Sequence, residues 1–349
     1  MKEEGLAGYL RGKGILWPLL ILLFLVIGLA CSIGEVSIPV LRVFRIILSE
    51  IPLADRFVSP VEGSDSTIIL LVRLPRVLLG VIAGMGLAAS GVSMQGIFKN
   101  PMASPFVLGI STGGAFGLAV GFLLNLDFFL LPFTAFLGGM GTVLFVLMIS
   151  KSQGGTDMIT LILAGLAVNF FMGSLYGLIW HLSPQERKVA LTSWIWGSFE
   201  GSIWKMVIIT LPILLVSLFM IYAHSRELNV IQTGEESALQ LGIDVERTKN
   251  VQIVVASLLT SSIVAFTGVI SFVGLIIPHG ARLLVGPDHK RLLPVSAIIG
   301  GIFLVLCDTL SRYSSTLPIS GIPVGILTGM IGTPFFFFLL IKNRGETGW

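Results

Sequence analysis

Ten apolar runs divide the chain between residues 15 and 341, most of them close to the length of about 20 residues that a membrane-crossing helix needs. Every backbone polar group inside a bilayer must be hydrogen-bonded internally, so such runs become helices there. Only 12% of the 349 residues are charged, compared with about 25% in soluble domains. The sequence therefore predicts one all-α polytopic membrane domain, residues 1–349, with ten transmembrane helices.

The predicted spans cross the membrane in alternating directions. The eighth is short and is interrupted by Pro278 and Arg282, so we expect a half-helix whose broken backbone is covered by protein or water. Basic residues concentrate in short cytoplasmic loops, and ten crossings with the N-terminus inside place most of the 22 Lys and Arg residues there. Both termini are therefore expected in the cytoplasm. The ten spans are 15–33, 77–97, 106–126, 128–149, 158–179, 207–223, 251–270, 272–285, 292–310 and 322–341.

Several functional classes are disfavoured by what the sequence lacks. A net charge of +3 without a basic tract argues against nucleic-acid binding. No Gly-x-x-x-x-Gly-Lys-Ser/Thr phosphate loop is present, so the chain is not expected to hydrolyse ATP. The four histidines lack metal-ligand spacing, and the two cysteines lie far apart inside apolar runs. We therefore predict no enzyme activity, no metal site and no cofactor in this chain.

Two loops on the predicted cytoplasmic side have distinctive sequences. Residues 225–250 indicate two short polar helices, 235–241 and 244–247, separated by Gly242, because glycine commonly ends a helix in the left-handed conformation. The loop at 150–156 is short and contains two glycines, which change backbone angles at little cost. Glycines also recur every fourth residue from 109 to 121, a stripe that predicts close helix packing or a place at a moving gate.

Charged residues in the apolar spans are functional candidates because they are costly inside a membrane. Asp308 lies within the ninth span and Arg312 follows four residues later on the same helix face, which predicts a local ion pair. Arg73 and Arg76 stand at the beginning of the second span. They could extend toward lipid headgroups, or form a fixed cationic patch that captures carboxylates of a docking partner.

A series of longer motifs runs in order from residue 68 to the C-terminus. The series resembles the signature of the FecCD permeases, the membrane subunits of ABC importers for iron-siderophores, haem and vitamin B12. One departure is Gly321-Ile322 before Pro323, where many members carry an acid. The motifs are Arg73-Leu74-Pro75-Arg76, Gly91-Val92-Ser93-Met94-Gln95-Gly96, Asn100-Pro101-Met102-Ala103-Ser104-Pro105, Leu108-Gly109-Ile110-Ser111, Gly234-Glu235-Glu236, Leu241-Gly242, Phe272-Val273-Gly274-Leu275-Ile276-Ile277-Pro278-His279, Gly286-Pro287-Asp288-His289, Pro323-Val324-Gly325-Ile326 and Gly332-Thr333-Pro334-Phe335.

The resemblance implies a type II ABC importer permease architecture and a set of partners. These are a second permease copy, most simply a homodimer, two ATPase subunits that bind ATP and Mg²⁺, a substrate-binding protein, and membrane lipid. It implies that Arg73, Arg76 and Arg312 meet glutamates of the binding protein. It assigns ATPase coupling to Glu235, Glu236, Leu241, Gly242, Ile243 and Arg247. It assigns the cytoplasmic gate to Ser150, Lys151, Ser152, Gln153, Gly154, Gly155 and Thr156.

The function expected from the resemblance is import of an iron-siderophore complex across the cytoplasmic membrane, driven by a separate ATPase. Vitamin B12 and haem remain alternatives, because in this family the binding protein does most of the selecting. An ion-coupled secondary transporter, or a membrane scaffold or receptor that transports nothing, is the alternative from another class. The coupling loop at 225–250 distinguishes these classes, since only an ATPase-driven permease requires it.

Overall fold

The structure is a computed structural model that describes residues 13–34, 36–50, 63–152, 155–156, 158–314 and 321–343. The described residues form a helix bundle with one short two-stranded hairpin. Both chain termini lie outside the described residues, and so do Gln153 and Gly154 of the predicted gate loop.

The helices are numbered here in chain order. Residues Ile68–Arg73 form a π-helical stretch inside the third helix, and short 3₁₀ turns at Lys13–Ile15 and Pro105–Leu108 precede the first and fourth. The hairpin pairs β1 (Lys151–Ser152) with β2 (Gly155–Thr156). The helices are α1 (Leu16–Ser32), α2 (Val40–Ser49), α3 (Ser64–Phe98), α4 (Ile110–Leu123), α5 (Leu131–Ser150), α6 (Met158–Leu182), α7 (Gln185–Ile195), α8 (Trp204–Ala223), α9 (Ser225–Thr233), α10 (Glu235–Gln240), α11 (Val245–Thr267), α12 (Val273–Val285), α13 (His289–Ser314) and α14 (Val324–Asn343).

Each of the ten predicted spans corresponds to a helix of the structure, so the all-α polytopic fold class is confirmed. Six helices in the described residues are long and apolar enough to cross a membrane, namely α3, α5, α6, α8, α11 and α13. Four apolar helices are shorter, namely α1, α4, α12 and the 324–338 part of α14. Interior prolines such as Pro212 and Pro294 lie within these helices, as membrane helices tolerate when neighbours satisfy the freed carbonyls.

The helix α12 is short, as predicted for the eighth span. Its 13 residues extend about 19 Å at 1.5 Å per residue, less than the hydrocarbon thickness of about 30 Å. It begins beside the middle of α3, where Gly274 meets the backbone of Gly91. Phe272 precedes it with a φ of +67°, a conformation that is rare for residues other than glycine.

The helix α4 is also shorter than the predicted span 106–126. Pro105 begins a 3₁₀ turn, and Gly109, with a φ of +89°, separates that turn from α4. The glycine stripe that follows packs against α5, where a Cβ on Gly113 or Gly117 would overlap Thr142 or the Thr134 carbonyl. Close helix packing within the subunit, the first interpretation of the stripe, is therefore confirmed.

The helix α3 forms the centre of the bundle. Its residues from Val77 to Ile97 are almost all buried, and it packs against α13, α11, α12 and α8. The approach to α13 is close because Gly84 faces Gly300, where a Cβ on either residue would overlap the other backbone. Small residues allow this contact between membrane helices.

The bundle has two ends, which carry different groups. The hairpin end carries β1, β2, α9 and α10, next to the beginning of α11 and the end of α3. The arginine end carries Arg73, Arg76 and Arg312, at the end of α1, the beginning of α3 and the end of α13.

The prediction for 225–250 is correct in part. A helix at Glu235–Gln240 is present, and Gly242 follows it with a φ of +77°. The second predicted helix, 244–247, is wrong as a separate element: it is the first turn of α11. Asp244 caps that helix by accepting a hydrogen bond from the Arg247 backbone N–H at 2.9 Å, as N-cap aspartates do.

Candidate functional site

A buried carboxylate organises the arginine end. Asp308 is 1% exposed, and its Oδ1 accepts hydrogen bonds from Nε and Nη2 of Arg76 at 2.9 and 2.8 Å. Its Oδ2 accepts one from Nε of Arg312 at 3.1 Å. The ion pair predicted from the spacing of Asp308 and Arg312 is therefore confirmed. Arg76, which lies 232 positions away from Asp308, is the additional partner.

The same arginines also cap the end of α1. Arg73 donates from Nη1 to the carbonyl oxygens of Cys31 and Ser32 at 2.8 and 3.1 Å. Arg312 donates from Nη2 to the Ala30 carbonyl and from Nη1 to the Ile33 carbonyl, both at 2.9 Å. The last carbonyls of a helix have no partner within the helix, and cations near this end are favoured by the helix dipole. The arginines therefore join α1, α3 and α13 at one end of the bundle.

An open cavity of about 750 Å³ lies against these guanidinium groups. Arg73, Arg76 and Arg312 line it together with Glu200 and residues 321–323. The side chains of Arg76 and Arg312 are 18% and 10% exposed, while Arg73 is 6% exposed. Among the described residues that line the cavity, three arginines face one carboxylate, that of Glu200. The described charges stay net positive when the buried Asp308 beneath them is included.

The hairpin end presents a small polar unit with an apolar tip. Ile231, Ala238 and Val245 form a separate cluster that holds α9, α10 and the beginning of α11 together. Leu239 and Leu241 project from it and are 61% and 70% exposed. Leu239 and Leu241 therefore give this polar unit an exposed apolar tip.

The six predicted coupling residues all lie on this unit. Glu235, Glu236, Leu241, Gly242 and Arg247 are exposed, and Ile243 is half-buried. Lys249, which is only 6% exposed, forms an ion pair with Glu235 at 2.7 Å and so fixes α10 to α11. Sequence reasoning missed Leu239, although its place two residues before Leu241 in a polar segment was a usable signal.

A hydrogen-bonded group connects α9 to the beginning of α13. The Asn229 amide donates to Oδ1 of Asp288 at 2.7 Å, and its oxygen accepts from the backbone N–H of His289 at 2.9 Å. Burial alone would raise the pKa of the Asp288 carboxyl. The hydrogen bonds from Asn229 and from the Lys290 backbone N–H, with nearby Arg291, nevertheless hold that pKa below its usual value. The sequence showed the Gly286-Pro287-Asp288-His289 motif, but it did not show this partner.

The described part of the predicted gate is a hairpin. Lys151 pairs with Thr156 and Ser152 pairs with Gly155, while Gln153 and Gly154 lie outside the described residues. Ser150, at the end of α5, is buried and donates to the Leu147 carbonyl at 3.1 Å. Within the described ranges no cluster of three or more His, Cys, Asp or Glu residues could hold a metal ion.

Comparison with known proteins gives a consistent family match. Residues 19–342 match the FecCD transport family. The chain is 43% identical over 281 residues to the cobalamin import permease BtuC of Halobacterium salinarum, covering 80% of this chain and 75% of that protein. It is 38% identical over 275 residues to the Fe(3+) dicitrate permease FecD of Escherichia coli, covering 78% of this chain and 84% of the relative.

A solved structure has the same fold over nearly the whole chain. It is described as a metal-chelate type ABC transporter in an inward-facing conformation. The match has a TM-score of 0.83 and 31% sequence identity, and it covers 95% of this chain and all of that one.

Proposed function

The chain belongs to the FecCD transport family and is a permease subunit of an ABC importer, and from this premise we propose that it carries an iron-siderophore complex into the cytoplasm. A partner ATPase supplies the energy, and this chain supplies the path. The observation that supports the proposal is the presence of two features at opposite ends of one bundle. A net positive cavity lies at the arginine end, and a polar unit with exposed leucines lies at the hairpin end.

The proposed orientation places the hairpin end in the cytoplasm and the arginine end outside. Basic residues gather at the hairpin end, including Lys99, Lys151, Arg226, Arg247 and Lys290, as the positive-inside rule expects of cytoplasmic loops. With ten crossings of the cytoplasmic membrane, both termini are then cytoplasmic. The β1–β2 hairpin, as the proposed gate, faces the cytoplasm.

The proposed assembly contains a second permease copy. The helix α6 is the least buried of the six long spans: 17% of its most apolar 18-residue stretch is buried inside the subunit. Met330 and Phe337 of α14 are 65% and 57% exposed. These exposed apolar helix faces are available for lipid or for another subunit. Two-fold homodimers are the commonest oligomers.

Ferric chelates built from carboxylate groups carry negative charge, and the cavity at the arginine end is net positive. The Fe(3+) dicitrate permease among the relatives transports a chelate of this kind. Vitamin B12 is the second candidate, because a relative at 43% identity is a cobalamin permease.

Uptake into liposomes tests the proposed function. We expect the permease, reconstituted with its ATPase and binding protein, to take up ferric dicitrate only when ATP is present. A proton or sodium gradient without ATP should give no uptake by the permease alone, since the ATPase is the proposed source of energy for transport. Uptake under an ion gradient would identify a secondary carrier. ATP-dependent uptake of cyanocobalamin, with none of ferric dicitrate, would replace the proposed cargo with vitamin B12.

Docking of the binding protein is proposed at the arginine cluster. Arg76→Gln should weaken the affinity of the binding protein by about tenfold or more, because a hydrogen bond to a charged group contributes about 1.5–3 kcal/mol. Asp308 keeps Arg312 as a partner in this variant, and the apparent Tm of the variant, measured beside the affinity, checks that it is folded. Affinity can be measured at low salt with the permease in nanodiscs.

Arg42→Gln is the matched control, since Arg42 is exposed at the same end and pairs with Asp65 without lining the cavity. It should leave the affinity unchanged. An Arg76→Gln variant that binds like the original protein would reject docking at Arg76.

A further inference from the structure

A second cavity lies on the side of the bundle, between α5 and α8. Its volume is about 310 Å³, at the lower end of the range of about 300–1,000 Å³ for ligand clefts. Phe133 and Phe136 of α5 form one wall, Ile209 and Ile213 of α8 form the other, and Ala265 of α11 lies between them. Phe133 and Ile209 are 58% and 40% exposed, so the groove opens sideways.

The groove begins at the arginine end and extends along the helices. Lys205 and Ile213 both line it, and they lie eight positions apart on the helix, which is about 12 Å along the axis. Its lining is apolar over most of this length. Because the helices cross a membrane, the open side is available to hydrocarbon, and an apolar groove of about 310 Å³ can take part of one acyl chain.

One charge stands at the mouth of the groove. Among the residues that line it in the described part of the chain, Lys205 is the only one with a charged side chain. Its ammonium lies 4.7 Å from the centre of the Phe129 ring. No carboxylate of the described residues forms an ion pair with it. A lysine at the surface of a bilayer attracts anionic headgroups.

We propose that this groove binds one anionic glycerophospholipid, with an acyl chain between α5 and α8 and the headgroup phosphate at Lys205. The groove supplies the apolar contact and Lys205 supplies the selectivity for charge. The proposal does not depend on the transported cargo.

Native mass spectrometry of the purified full-length protein tests the proposal with two lipids of identical acyl chains. Phosphatidylglycerol should bind more tightly than phosphatidylcholine by about fivefold, the factor for one lysine at an anionic surface. Lys205→Gln should reduce this ratio to about one. Ile209→Trp, which narrows the groove at an exposed position, should weaken both lipids equally. Inorganic phosphate should not displace either lipid, because it has no acyl chain.

Lys188→Gln is the matched control. Lys188 also places its ammonium over an aromatic ring, that of Trp180, at 5.1 Å, but it does not line the groove. This variant should keep the fivefold preference. Thermal unfolding of each variant checks that it is folded, so a loss of binding cannot come from misfolding.

Three results would overturn the proposal. The first is equal affinity of the unmodified protein for the two lipids. The second is an unchanged preference in Lys205→Gln. The third is phosphatidylglycerol binding only after a permease dimer dissociates, which would identify the groove as a surface between two copies of the chain.

Discussion

Asp308→Asn should lower the stability of the purified protein by about 3–5 kcal/mol, the cost of removing one partner from a buried ion pair. The carboxylate is 1% exposed and binds two guanidinium groups. Asparagine has nearly the same shape, but it removes the negative charge. Arg76 then loses its ionic partner, and the cations of Arg76 and Arg312 lie close together. The measurement is the apparent Tm in detergent, which should fall strongly. Expression should be weaker as well.

Asp65→Asn is the control for Asp308→Asn. Asp65 also pairs with an arginine at the same end, Arg42, at 2.9 Å, but these side chains are 22% and 49% exposed. Exposed pairs contribute about 0–1 kcal/mol, so the Tm should change little. Adding Arg76→Gln to Asp308→Asn should recover part of the loss by removing one unpaired cation. Equal effects of Asp308→Asn and Asp65→Asn would show that the buried pair is not what holds this end together.

Gly242→Pro should reduce ATP-driven uptake by about tenfold or more, since proline fixes φ near −65° and Gly242 has a φ of +77°. Proline also removes the backbone N–H that donates to the Leu239 carbonyl at 2.9 Å. Leu241, the C-cap before the proline, has a ψ of 6° and would be pushed toward the extended region. The exposed Leu239 and Leu241 would then lose the positions in which the proposed ATPase contact needs them. Uptake and the ATPase rate with binding protein are the measurements.

Gly201→Pro separates this effect from general backbone strain. Gly201 has a φ of +71° and open space around it, as Gly242 does, but it lies in the loop before α8, at the other end of the bundle. The Gly201→Pro variant should leave the binding of the ATPase subunits intact. Gly242→Ala should be mild, because one left-handed residue costs about 1–2 kcal/mol and no atom obstructs its methyl group. Full uptake by Gly242→Pro would remove 235–247 as the coupling element.

The sequence was sufficient for features that depend on neighbouring residues. Apolar runs located the ten helices, the spacing of four located the Asp308–Arg312 pair, and a single glycine located the turn at Gly242. The end of α10 and the shortness of α12 follow from the same local rules. These elements can be predicted without knowing which residues pack against them.

Features that depend on distant residues could not be read from the sequence. Arg76 meets Asp308 across 232 positions, and Arg73 caps carbonyls at the end of another helix. The prediction that 244–247 forms its own helix failed because Asp244 is the N-cap of a much longer apolar helix. The helix α9 was missed, although Leu228 and Ile231 follow the helical spacing and are buried.

The contacts between glycine backbones limit which parts of the subunit can change shape. Gly84 against Gly300 and Gly91 against Gly274 leave no room for a methyl group between α3, α13 and α12. Rotation of one of these helices about its own axis would bring a larger side chain into the contact and push the pair apart. Rotation of α3, α12 or α13 alone is therefore opposed sterically, and a conformational change that keeps these contacts has to move the three helices together.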